Sequence, residues 1–81
     1  MEQRVLLDNR GLSPPEPMLR ILSALEALPS GGEIVAQMDR RPIFLFPELD
    51  ERGCTYACDA VTEGGYLLTI RKPSPHGSSA S

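Results

Sequence analysis

The sequence predicts an α/β two-layer sandwich with elements in the order β-α-β-α-β-β, a four-stranded mixed sheet carrying two helices on one face. Three observations predict it. Met18, Ile21, Leu22, Leu25 and Leu28 recur at helical spacing, with Arg20, Ser23 and Glu26 on the opposite side. Four short apolar runs, over 2–8, 33–38, 54–60 and 66–72, have strand character. Gly- and Pro-rich turns separate all of these segments. With only two helices, the economical packing is two layers around one thin core.

The first strand runs over 2–8. Its centre, Val5-Leu6-Leu7, is apolar on both faces, which predicts a central rather than an edge position. Asn9-Arg10-Gly11 is turn chemistry. Ser13 is placed to cap the first helix and Pro14 suits its first position. Glu16, three residues after Ser13, completes the spacing of a capping box. The helix is expected over 14–28 and is stopped by Pro29-Ser30-Gly31-Gly32.

Residues 33–38 form the second strand, parallel to the first through a right-handed crossover. Asp39-Arg40-Arg41-Pro42 then turns into a second helix over roughly 42–52. Pro47 removes a helical donor, so this helix either starts near Pro42 and tolerates Pro47 early, or begins at Pro47 itself. Gly53 ends it in both cases. The third and fourth strands pair as a hairpin around Glu63-Gly64-Gly65. The domain is expected to occupy 1–72, followed by a flexible tail over 73–81 with the lone His76.

Alternation along the strands divides the sheet. If Val5, Leu7, Ile34, Ala36, Met38, Tyr66, Leu68 and Ile70 face the helices, then Leu6, Val35, Leu67 and Thr69 lie on the open face. That face is more apolar than water requires, which raises a homodimer or partner surface as an expectation.

A net charge of −3, from eleven acids and eight bases, argues against a nucleic-acid footprint. No apolar run has membrane length and no signal-peptide core is present, so a cytoplasmic protein is expected. Cys54 and Cys58 lie on one face of a strand, about 13 Å apart. They read as core thiols, neither a disulfide nor a metal clip. No cofactor motif or catalytic set is visible, and no metal or cofactor is expected.

The positions with most chemical interest cluster at one sheet edge. Asp8 and Asp39 end two parallel strands, and both helices begin there. Arg10, Gly11, Ser13, Glu16, Asp39, Arg40 and Arg41 form a candidate rim. Arginine forks and helix N-termini suit a small anion. The plainer alternative pairs the two aspartates with the same arginines.

The segments Leu7-Asp8-Asn9-Arg10-Gly11-Leu12, Pro14-Pro15-Glu16-Pro17, Leu25-Glu26-Ala27-Leu28, Asp39-Arg40-Arg41-Pro42 and Pro47-Glu48-Leu49 resemble the DUF2249 family. That family is similar to the TusA/SirA-like sulfur carriers. The likeness to those carriers covers residues about 4–72 and implies the same β-α-β-α-β-β fold. Those carriers hold a reactive cysteine where this chain has Pro14, so persulfide carriage is not implied. Some members of the resembled family hold histidines where Leu19 and Arg40 stand here, so their metal binding does not carry over either. The expectation is a non-enzymatic module acting through protein contacts, in redox, sulfur or respiratory metabolism. A small-anion or metabolite binder is the alternative, and sulfur transfer through Cys54 or Cys58 is a further one.

Overall fold

The fold is that of a computed structural model, which describes residues 3–74. Strand β1 spans Arg4–Asp8 and helix α1 spans Glu16–Ala27. Strand β2 covers Glu33–Met38 and helix α2 Phe46–Glu51. Strands β3 and β4 cover Thr55–Ala60 and Tyr66–Arg71. Glu2 and nearly all of the expected tail, His76 included, lie outside the described residues.

The sheet order is β1-β2-β4-β3. β1 and β2 are parallel, with Leu7 opposite Ala36. β2 and β4 are antiparallel, with Ala36 opposite Leu68, and β3 pairs with β4 as the expected hairpin. The two helices and the mixed sheet enclose one core. Ile21, Leu25 and Leu28 meet Ile34, Ala36 and Met38 of β2, Leu68 and Ile70 of β4, and Leu45 and Leu49 around α2. All eight residues assigned to the helix side of the sheet are buried or packed against that core. On the other side Leu6 is 72 % exposed, while Val35, Leu67 and Thr69 are half-buried.

Three local expectations are corrected. β1 is an edge strand, because it has β2 as its one neighbour and β4 takes the other side of β2. Its apolar character on both faces reflects the uncovered Leu6, not burial on two sides.

Helix α1 begins at Glu16, two residues after the expected start, and no side chain among the described residues caps it. A hydroxyl at Ser13 has no donor to accept from. Pro15 lacks an N–H, and the Glu16 N–H already donates to the Ser13 carbonyl oxygen at 3.0 Å. The Pro14–Pro15 peptide is cis.

Helix α2 begins at Phe46, so Pro47 falls in its first turn, where a missing N–H costs nothing. Residues 42–45 are a separate turn closed by the Leu45 N–H on the Pro42 oxygen. The helix ends as a Schellman motif. The N–H groups of Gly53 and Cys54 donate to the Asp50 and Leu49 oxygens, with Gly53 at φ +71°.

The last turn of α1 is finished from a distance. Lys72, the only lysine, reaches back so that its Nζ donates to the Leu25 and Leu28 oxygens at 2.9 and 2.7 Å. Its backbone exchanges hydrogen bonds with Gly31 and Gly32 in the loop that follows α1. No basic residue of α1 itself occupies that turn.

Candidate functional site

Two loops leave the same edge of the parallel pair β1-β2. Residues 9–15 follow β1 and residues 39–45 follow β2. One hydrogen bond ties them together, from the Gly11 N–H to Asp39 Oδ2 at 2.6 Å. Gly11 sits at φ +81°, a conformation that a side chain there would strain. The Asp39 carboxylate is therefore engaged by backbone and not by an arginine.

Between the loops lies a cleft of about 780 Å³. Leu12, Ser13, Pro14, Pro15 and Pro17 line one side. Arg40, Arg41, Pro42, Ile43 and Phe44 line the other. The deepest lining residues are Asn9, Met38 and Leu45, each no more than 5 % exposed. Its volume falls in the usual range of ligand pockets. Its lip is unusual for so small a protein: Phe44 is 81 % exposed and Ile43 55 % exposed.

Asn9 is the one buried polar side chain among the described residues. It follows β1 directly and its N–H donates to the Gln37 oxygen, extending the parallel ladder by one step. Its side-chain Nδ2 donates to the Pro17 oxygen at 3.2 Å and towards Met38 Sδ at 3.5 Å. Those donations fix the orientation of the amide. Oδ1 is left buried without a donor among the described residues. An unsatisfied buried acceptor costs about 1–3 kcal/mol.

The charged groups of the rim divide into engaged and unengaged. Arg10 forks onto Asp8, with Nε on Oδ1 and Nη2 on Oδ2, both at 2.9 Å. The Arg10 N–H also donates to Asp8 Oδ1. The side-chain bonds first, then the backbone bond, hold the Asp8 carboxyl down at about 2, and the Arg10 value is raised in turn. Arg20 donates to the Asp8 backbone oxygen.

Arg40 and Arg41, both exposed, face no carboxylate within ion-pair distance among the described residues. Arg41 lies 5.6 Å over the Phe46 ring. That ring stacks on Tyr56 at 4.9 Å, and the Tyr56 hydroxyl donates to Asp50 at 3.0 Å. A stacked guanidinium keeps its edge N–H groups available for an anion.

The cleft therefore brings together Ser13, Asp39, Arg40 and Arg41 from the expected rim. Arg10 and Gly11 stand beside it, already bonded to Asp8 and Asp39. Glu16 opens α1 and is not among the lining residues. Most of the lining lies outside the expected rim. Asn9, which reads as turn chemistry, and Ile43 and Phe44, expected within a helix, do most to shape its character. One signal was available. In a helix over 42–52, Phe44 does not share the face set by Leu45 and Leu49.

Cys54 is buried and Cys58 half-buried, and burial raises both thiols above their ordinary value. Among the described residues no three His, Cys, Asp or Glu side chains gather as a metal site. No helix among them is long and apolar enough to cross a membrane.

A small two-layer α/β module with one apolar, arginine-edged cleft is the class that fold and site define. The chain belongs to the family of uncharacterized conserved proteins termed DUF2249, whose model matches residues 6–72. No curated protein and no solved structure matches it.

Proposed function

We propose that the protein is a non-enzymatic binding module that works by contact with another protein, in redox, sulfur or respiratory metabolism. The observation that carries the reading is the lip of the cleft. An 81 % exposed Phe44 beside a 55 % exposed Ile43 is hard to account for on a free surface. Large apolar groups at the edge of a concave apolar patch mark contact sites. The likeness to the TusA-like sulfur carriers supports the same reading, since Pro14 stands where a carrier keeps its nucleophile. The raised thiols of Cys54 and Cys58 speak against a second nucleophile, because the thiolate is the reactive form.

A photo-crosslinking residue at position 44, expressed in the native host, tests the reading. One protein should be captured repeatedly at position 44 and not from Glu26 on the outer side of α1. Capture from both positions alike, or from neither, rejects the cleft as the contact surface. The open sheet face offers a second contact, a homodimer through Leu6 and Val35. Sedimentation that shows a monomer for both the wild type and Leu6→Glu rejects it.

The small-anion alternative draws on Arg40 and Arg41, which have no carboxylate partner among the described residues. The start of α1 adds few donors to it, because Pro15 and Pro17 carry no N–H and that of Glu16 is occupied.

A further inference from the structure

Three features of the cleft each need a different group. Its sides are apolar over most of their extent, from Leu12 and the prolines on one side to Ile43 and Phe44 on the other. Arg40 and Arg41 give it two cations with no carboxylate partner among the described residues. Asn9 lines its floor, and there Oδ1 is buried with no donor among the described residues while Nδ2 is committed to Pro17 and Met38. An occupant that satisfies all three carries an anion, an apolar body and an N–H close together.

We propose that the cleft receives the free C-terminal residue of a partner polypeptide. Its carboxylate meets Arg40 and Arg41, its apolar side chain lies between the two loops, and its backbone N–H donates to Asn9 Oδ1. This rests on the protein-contact reading and names the part of the partner that is held. A C-terminal residue is the shortest piece of polypeptide that presents all three groups at once. An internal acidic residue has its carboxylate in place of the apolar side chain and needs a second residue to supply the rest. A guanidinium recognises a carboxylate through two parallel hydrogen bonds, and an apolar surround strengthens them.

Oδ1 is closed to solvent, so a bound N–H reaches it only when lining side chains give way. Met18 and Met38 are both in the lining, and methionine adapts its shape more readily than branched side chains do. A preference for a large apolar last residue follows from the volume and from the width of the apolar sides.

The experiment uses the whole chain, labelled with 15N, and three probes. The first is the peptide acetyl-Gly-Leu-Phe with a free carboxylate. The second is the same peptide as its C-terminal amide. The third is acetyl-Gly-Glu-Phe amide, whose only carboxylate is on a side chain. The free acid should shift the amide signals of Leu12, Arg40 and Arg41 and the Asn9 side-chain pair, saturating in the range of about 1 mM. The other two probes should bind at least about tenfold more weakly, one charged pair's worth of affinity. Arg40→Gln together with Arg41→Gln should remove the difference between acid and amide. Both side chains are exposed, so the variant's spectrum should keep its dispersion.

Equal binding of acid and amide overturns the proposal, and so does equal binding of the Glu peptide. Absence of shifts with every probe up to about 10 mM also overturns it. The crosslinking result at position 44 stands apart from these outcomes. A partner captured there by a chain that ignores the free acid keeps the contact reading and discards the terminal carboxylate.

Discussion

Lys72→Met removes an ammonium and little else. The four-atom stem and its packing are retained, and the backbone bonds from residue 72 to Gly31 and Gly32 do not involve the side chain. Two hydrogen bonds are lost, to the Leu25 and Leu28 oxygens at 2.9 and 2.7 Å. Each is a bond from a charged donor, worth about 1.5–3 kcal/mol where water is excluded. A cation at a helix C-terminus adds roughly 0.3–1 kcal/mol. The sum overstates the loss. Lys72 is half-buried, water can reach part of the vacated space, and the Leu25 oxygen keeps its bond from the Leu28 N–H. A net cost of about 1.5–3 kcal/mol is the expected result. Small domains have about 0.05–0.15 kcal/mol of stability per residue, so this is a large share of the total.

Urea unfolding followed by circular dichroism measures it. The midpoint should fall with the slope unchanged, because the surface exposed on unfolding is the same. At about 4–8 °C per kcal/mol the melting temperature should drop by roughly 6–24 °C. A loss below about 0.5 kcal/mol would refute the reasoning, since it would place Lys72 among exposed charge contacts of little worth.

Three further outcomes follow from other parts of the fold. Asp8 should titrate at about pH 2 by carboxyl NMR, and Arg10→Gln should return it towards the ordinary 3.8. Because the folded value is the depressed one, its contribution to stability is complete above about pH 4 and fades as pH falls towards 2. The Arg10→Gln variant should show a flatter stability profile across that window.

Gly65→Ala should destabilise by well over the roughly 1 kcal/mol expected for Gly31→Ala. Both sit near φ +81°, but a Cβ at 65 meets the Met38 oxygen at 2.6 Å and one at 31 meets nothing within 4 Å. Equal midpoints in urea would contradict this. Iodoacetamide should label Cys58 faster than Cys54, and both more slowly than free cysteine at pH 8, as judged by intact-mass spectrometry. Burial raises both thiols, and Cys54 is the more deeply placed.

Much of the architecture was legible because two periodicities are clean. Period two placed Val5, Leu7, Ile34, Ala36, Met38, Tyr66, Leu68 and Ile70 on the correct side of the sheet, and period 3.6 placed Ile21, Leu25 and Leu28 in the core. What alternation does not encode is which strand inserts where. Val5-Leu6-Leu7 reads identically beside one neighbour or two, so the edge position of β1 was not visible.

The capping box failed for a different reason. Ser13 and Glu16 have the right spacing, but a capping hydroxyl needs donors that Pro15 lacks and Glu16 has already given to a carbonyl. The site was legible as a place and not as a shape. Asp39, Arg40 and Arg41 were located from the parallel pairing of β1 with β2. The cleft itself depends on residues 42–45 being a turn, and a turn and a first helical turn have nearly the same composition. Asn9 was missed because asparagine beside a glycine turn is ordinarily exposed.

The position of β4 has a consequence for how the chain is made. Its residues are the last to be synthesised of the four strands, yet they lie between β2 and β3 and hold the sheet together. A nascent chain that stops before Tyr66 can form α1 and pair β1 with β2, but Ile34, Ala36 and Met38 then lack their neighbours Ile70, Leu68 and Tyr66. Such an intermediate shows an open strand edge and a half-covered core, the features that recruit chaperones and proteases. At about 5–20 residues per second the missing segment arrives within a second or so. Until residues 66–71 take their place, the inner edges of β2 and β3 have no partner in this sheet.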